Sequence, residues 1–209
     1  MKPIFITGTG TDVGKTLISA IVTESLEADY WKPVQAGYAD GTDSLFVEKM
    51  ISNTHTKVHA ELYKLKLPAS PHLAAPAEGK EITVREIAAN LPVTNNQLII
   101  EGAGGLLVPL NPQETILTLI KSLNAKVIIV SKNELGSINH SLLTAAVLSH
   151  EKIDVAGWIF TGDYMHYENE IAGWSGFPLI GRIKHLSVIS KETIKEQALK
   201  LQPMLKSIL

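Results

Sequence analysis

The run Gly8-Thr9-Gly10-Thr11-Asp12-Val13-Gly14-Lys15-Thr16 carries the strongest chemical signal in the chain. It lies between an apolar run, Ile4–Thr7, and a helical stretch, Gly14–Leu26, which is the strand-to-helix junction a phosphate-binding loop requires. Glycines let backbone N–H groups turn inward around phosphate oxygens, and the following helix adds its positive end. In such a loop Lys15 neutralises the β- and γ-phosphates, and the Thr16 hydroxyl ligates Mg²⁺. The strict spacing wants glycine at the place of Thr9, with Gly8 standing one position too early. The alternative is a glycine-rich turn with an accidental lysine, and Gly-Lys-Thr at this junction argues against it.

Three more residues belong to the same chemistry. Lys32, within Tyr30-Trp31-Lys32-Pro33-Val34-Gln35-Ala36-Gly37, closes a strand whose carboxyl end should line the ligand crevice of an open α/β sheet. A solvated lysine is the plainer alternative. Trp31 and Pro33 already account for the strand end, so Lys32 is expected to carry chemistry more than fold, and its loss to leave stability almost unchanged. Glu101 ends the run Gln97–Glu101 ahead of Gly102-Ala103-Gly104-Gly105, where an acid beside a phosphate loop fixes magnesium. Asp43 could be a second magnesium carboxylate, but the residue pattern alone favours a helix N-cap.

The elements that must position these groups alternate regularly. Strands are expected at Ile4–Thr7, Asp29–Lys32, Gln97–Glu101, Lys126–Val130, Val155–Phe160 and Leu179–Gly181. Helices are expected at Gly14–Leu26, Asp43–Ile51, Val84–Asn90, Thr115–Leu123, Ser137–His150 and Lys191–Lys206. Several strands are nearly continuous in Val, Ile and Leu, as in parallel sheets covered on both faces. The predicted fold is α/β: a doubly wound, mostly parallel sheet of the P-loop NTPase type, with right-handed crossovers and helices on both faces, over one domain of residues 1–209. The Pro- and Gly-rich stretch Leu67–Gly79 reads as an ordered excursion, because Leu73, Ala74 and Ala75 interrupt it.

Composition narrows the field. Hydrophobic residues make up 45% of 209, enough for a sizeable core. Lys and Arg total 19 against 21 Asp and Glu, so the basic excess of a nucleic-acid binder is missing. With no cysteine there is no disulfide scaffold, thiol nucleophile or thiolate metal site. The N-terminal residues turn into glycines too soon for a signal peptide, and no apolar run reaches membrane-spanning length, so a soluble, cytoplasmic protein is expected and Asn139-His140-Ser141 should stay unglycosylated.

Taken together, these pieces resemble the dethiobiotin synthetase family. The resemblance rests on Gly8-Thr9-x-Thr11-x-Val13-Gly14-Lys15-Thr16, Lys32-Pro33-Val34-x-x-Gly37, Thr42-Asp43-Ser44 and Ser70-Pro71-His72-Leu73-Ala74-Ala75. It continues through Glu101-Gly102-Ala103-Gly104-Gly105, Leu135-Gly136-x-Ile138-Asn139-His140 and Val155-Ala156-Gly157-Trp158. The motifs run in order from residue 4 to about 160, and the C-terminal quarter is weaker. The family's own loop has the same Gly-Thr start, so the departure from the strict spacing counts in favour.

The resemblance implies an ATP-dependent ligase that carboxylates 7,8-diaminopelargonate with CO2 and closes the ureido ring, through a carbamate and a carbamyl phosphate. It implies Lys15 and Lys32 as catalytic residues and Thr16, Asp43 and Glu101 as the Mg²⁺ positions. It places the nucleotide on Asp12, Val13, Gly14, Lys15, Thr16, Leu17, Asp43, Glu101, Gly102, Ala103, Gly104 and Thr161. The substrate positions are Thr11, Asp12, Lys32, Ala36 and the turn Leu135, Gly136, Ser137, Ile138, Asn139, whose amides suit a distant carboxylate. In the family that turn comes from the partner subunit, which implies a homodimer with composite active sites. Ala36 stands where the family usually has Ser or Thr. Thr161 stands where it often has an adenine-reading Asn, and Gly181–His185 lacks the usual proline.

A second reading is a nucleotide-switch ATPase of the DNA-partitioning or division-site type, which shares the fold and the loop. Those proteins carry a signature lysine where Gly10 stands and lack Lys32-Pro33-Val34. An idle nucleotide-binding regulator is a third, opposed by intact Lys15, Thr16, Lys32, Asp43 and Glu101. His55 and His59 read as a solvated pair more than a metal site, Trp158 and Trp174 as core or edge packing, and the C-terminal apolar stripe as sheet-covering more than membrane-binding.

Overall fold

Uninterrupted Val, Ile and Leu runs become the inner strands, and helices shield both faces. In the computed structural model, which describes residues 1–209, β1 (Ile4–Gly8) leads into α1 (Lys15–Leu26). There follow β2 (Asp29–Trp31), β3 (Val34–Ala36), α2 (Asp43–Met50), β4 (Val58–His59), β5 (Tyr63–Leu65), α3 (Pro71–Ala77) and α4 (Val84–Ala89). The second half runs β6 (Leu98–Gly105), α5 (Ile116–Ser122), β7 (Lys126–Lys132), α6 (Ser137–His150), β8 (Val155–Thr161), α7 (Glu168–Ser175), β9 (Leu179–Ile183) and α8 (Lys191–Ile208). Seven strands form one sheet in the order β4-β2-β6-β1-β7-β8-β9, all pairs parallel. β3 and β5 pair separately as a small parallel ribbon.

Two cores sandwich the sheet. On one face α1, α2 and α8 bury Ile21, Val47 and Leu201 against Ile6, Ile99 and Ile128. On the other, α5, α6 and α7 bury Leu119, Leu148 and Ile171 among Phe5, Ile100 and Trp158. Strand alternation assigns Tyr30 and Ile99 to the first core and Trp31 and Ile100 to the second. Lys32 and Glu101, two positions on from Tyr30 and Ile99, therefore project towards α1 and α2. The strand order reverses around β1, so its carboxyl end and the following loop sit at the switch point where ligands bind open α/β sheets.

Every predicted strand and helix is present, with four differences of note. β6 does not end at Glu101 but continues through the glycines, with Gly8 paired to Gly105. The edge strand β4, the ribbon β3–β5 and the helices α3 and α7 are additional. α3 begins at Ser70-Pro71, with proline in the first turn, where its missing N–H costs nothing. Trp158 is fully buried, but Trp174 is 62% exposed and packs in no core. His59 bonds Asp29 at 3.1 Å and is largely buried, so only His55 of that pair is solvated. Helix α8 buries Ile194, Ala198, Leu201 and Leu205 against the α1 side, so its stripe covers the sheet. No helix is long and apolar enough to cross a membrane.

Candidate active site

The phosphate loop folds back on itself at Gly8. A Cβ there would lie 2.7 Å from Val13 Cγ2 and 2.8 Å from the Gly10 carbonyl, so the close approach needs glycine one position earlier than the strict spacing. Thr9 can stand next in line, because its N–H donates to the Val130 carbonyl at 3.0 Å and ties the loop to β7. Gly14 caps α1 at a φ of 92°, which turns the chain into the helix. Lys15 bends back so that Nζ donates to the Gly10 carbonyl at 2.8 Å. Burial pulls its pKa down to about 8, opposed by the Glu101 carboxylate and reinforced by the Lys32 ammonium.

Behind the loop lies a compact ion cluster. Glu101 is 1% exposed, and both of its oxygens are bonded. Oε1 accepts from Thr16 Oγ1 at 2.9 Å and from Lys32 Nζ at 2.9 Å, and Oε2 accepts from the Tyr30 hydroxyl at 2.8 Å. Lys32 Nζ also donates to Asp43 Oδ2. Burial disfavours the Lys32 ammonium, but the Glu101 and Asp43 carboxylates outweigh that and hold its pKa above the ordinary value. Burial and the neighbouring Glu101 charge push the Tyr30 phenol well up, so it remains a donor.

Two expectations are corrected here. Lys32 is no solvated strand end with a fold-neutral role: it neutralises the buried Glu101 and the partly exposed Asp43, and removing it strands Glu101 inside the protein. Asp43 is not the N-cap of α2; Thr42 is, accepting from the Leu45 N–H, while Asp43 is the first helical residue with its carboxylate on Lys32. Gln35 fixes that helix start, its Oε1 accepting from the Asp43 N–H at 3.1 Å and its Nε2 donating to the Gly37 carbonyl at 2.9 Å.

Two adjoining clefts share the wall built by Lys32 and Asp43. One, of about 480 Å³, is lined by Gly14, Lys15, Thr16, Leu17 and Glu101. The other, of about 500 Å³, adds the apolar Val34, Pro68, Pro71, Ala103 and Val108. Thr11, Asp12, Ala36 and Gly104 face both. The arrangement suits a polyanion in the first cleft and a partly aliphatic molecule in the second, meeting at Lys32.

Other named residues lie elsewhere. Val13 and Gly102 are packed beneath the loop, where a Cβ on Gly102 would meet the Phe5 ring at 2.7 Å. Thr161 is buried behind Gly14, and its hydroxyl donates to the Val13 carbonyl at 2.8 Å, so it braces the loop. The turn Leu135–Asn139 lines neither cleft of its own chain: Leu135 is 88% exposed, and Ser137 is held by the Tyr167 hydroxyl at 2.6 Å. Tyr30 and Gln35 are the site residues that motif reading passes over. Tyr30 lies two positions before Lys32 on the same strand face, the one signal that could have found it.

The oxygen set of Thr16, Asp43 and Glu101 fits Mg²⁺, a hard cation held by one or two carboxylates with the remaining positions taken by water and phosphate oxygens.

Residues 2–193 match the family model described as an AAA domain. The ATP-dependent dethiobiotin synthetase BioD of Cytophaga hutchinsonii is 47% identical, over 96% of this chain and 97% of its own length. That of Christiangramia forsetii is 44% identical, over 98% of each. Among solved structures, a chain of the MinC:MinD cell division protein complex from Aquifex aeolicus superposes with a TM-score of 0.60 at 15% identity, over 97% of this chain and 96% of that one. At that identity the likeness concerns the fold alone.

Proposed function

Because the chain belongs to the family of ATP-dependent dethiobiotin synthetases, and is thus an ATP-dependent ligase of biotin biosynthesis, we propose that it closes the ureido ring through a carbamyl phosphate. One neutral amine of 7,8-diaminopelargonate adds to CO2 and loses a proton, giving a carbamate anion. A carbamate oxygen attacks the γ-phosphorus of ATP and ADP leaves. The second amine then attacks the carbonyl carbon, the bond to phosphate breaks, and the amine's proton is lost as the ring closes.

The observation that carries this reading is the shared wall of the two clefts, where Lys32 stands between the phosphate loop and the apolar compartment. Carbamate and γ-phosphate are both anions, so bringing them together calls for cations at the meeting place. Lys32 supplies one there, held in place by Asp43 and Glu101. Lys15 exchanges the Gly10 carbonyl for phosphate oxygens. Thr16, Asp43 and Glu101 would hold Mg²⁺, which neutralises charge on the transferring phosphoryl group when bound. Asp12, exposed beside Thr11 on the second cleft, suits an ammonium end of the diamine. Ala36 leaves that wall without a hydroxyl, a place for a bridging water.

A homodimer belongs to the same reading. The turn Leu135–Asn139 faces away from its own clefts, and exposed Leu107 and Leu143 flank a groove beside α6. A partner covering that groove would receive the turn in its own active site, and the turn's free amides would hold the diamine's carboxylate. A cytoplasmic, single-domain enzyme follows from this reading. The switch-ATPase alternative shares the fold and the phosphate loop, but Gly10 stands where its signature lysine would be, and it would lack Lys32-Pro33-Val34.

ADP release that depends on both diaminopelargonate and bicarbonate is the expected result. ATP turnover indifferent to both, or stimulated by DNA or lipid instead, would overturn the assignment. The same assay tests base selection. The Thr161 hydroxyl proton is committed to Val13, so at most its lone pairs are left for a base. Without a polar pair that the wrong base leaves unsatisfied, discrimination is modest. GTP and CTP are expected to support ring closure within about tenfold of ATP in kcat/KM, a difference of about 1.4 kcal/mol. A preference for ATP above about a thousandfold would show that another segment, such as Ile183–His185, reads the adenine edge.

A further inference from the structure

Tyr30 takes no part in the chemistry above, yet its hydroxyl is the group bonded to the inner oxygen of Glu101. Although its backbone is held within β6, the Glu101 side chain can turn about its last torsion, which has a broad, two-fold profile. Thr16 and Lys32 both grip Oε1 and leave that rotation undetermined. The bond from Tyr30 to Oε2, at 2.8 Å, fixes the plane of the carboxylate.

The phenol itself cannot wander. Tyr30 is fully buried, and its backbone is clamped in the sheet by pairing with Val58 on one side and Ile99 on the other. Glu101 lies two residues beyond Ile99 on the same face, roughly 6–7 Å along the strand, a span a phenol ring can bridge and a serine cannot. A Phe in this place would fill the same core volume and leave Oε2 without a donor.

We propose that Tyr30 is a positioning residue, which holds the Glu101 carboxylate so that Oε1 is presented to the loop and thereby sets the affinity for the divalent cation. Outer partners of metal-site carboxylates act in this way, and their loss weakens metal binding by about 10–100-fold. This role rests on the assignment of Glu101 to the metal.

The test uses the full-length protein with ADP and counts free Mn²⁺ by electron paramagnetic resonance, so that the readout is binding and not turnover. Tyr30→Phe is expected to weaken Mn²⁺ by about tenfold, and to raise the Mg²⁺ concentration for half-maximal rate while kcat at saturating Mg²⁺ is largely recovered. Tyr63→Phe is the control, since it removes another tyrosine–carboxylate bond, from the buried Tyr63 to the exposed Glu86, away from the site. It should leave Mn²⁺ binding unchanged. In a Glu101→Gln background, where no charged Oε2 is stranded and folding is less burdened, Tyr30→Phe should add no further loss. An unchanged Mn²⁺ affinity in Tyr30→Phe beside a weakened one in Glu101→Gln overturns the positioning role. So does an equal loss in the Tyr63 control, or an additive loss in the double variant. Unchanged affinity in Glu101→Gln overturns the metal assignment itself.

Discussion

Lys32→Ala is expected to lower turnover at saturating substrates by about a hundredfold or more, the loss that follows removal of one donor meeting transition-state charge. Its ammonium stands where the two clefts meet, and no other cation lines both. The same substitution should destabilise the protein by about 3 kcal/mol or more, because breaking a buried ion pair leaves an uncompensated charge. Lys32→Gln keeps a donor for one carboxylate and should unfold at higher urea than Lys32→Ala, while losing comparable turnover. Urea titration and initial rates on folded protein separate the two effects. Near-normal turnover in either variant would remove Lys32 from the chemistry and leave it as a structural neutraliser.

Glu101→Gln should raise the Mg²⁺ concentration for half-maximal activity by about tenfold or more. Glu101 accepts three hydrogen bonds and donates none, and an amide can accept on only one of its two ends. Its NH2 would face either the Tyr30 hydroxyl, which would then have to turn its proton away and accept, or the Thr16–Lys32 pair, where the Lys32 ammonium meets it donor against donor. A neutral oxygen is also a poorer partner for a hard dication. A Mg²⁺ titration that stays in place, measured on the folded fraction, would make Glu101 purely structural.

The phosphate loop, its flanking strand and helix and the βα alternation were legible because each is written locally, in consecutive residues with a period. The ion cluster was legible only as separate suspects. Lys32 and Glu101 stand 69 positions apart, and Thr16 and Glu101 85, so their bonds appear only once β6 lies between β2 and β1. Asp43 reads as a cap because Asp at a helix start usually is one, and Lys32, which claims its side chain, belongs to another element. Strands β3 and β5, of three residues each, are too short for any period to register. Tyr30 was hidden by its own apolarity, since a tyrosine inside a strand reads as core until a carboxylate is found at its tip.

The bond from Lys15 to the Gly10 carbonyl has a bearing on what the loop lets in. On the proposed reading, the charge that would meet phosphate is already engaged by an acceptor of its own chain. A newcomer gains only the difference between its attraction and that of a peptide carbonyl. A triphosphate, with several oxygens reaching the loop amides at once, exceeds that threshold easily. A single orthophosphate, which the reaction itself releases, has far less with which to displace the carbonyl. On the proposed reading the loop would filter anions by their charge and length, and as each cycle ended it would close over its own lysine and shed the smaller product.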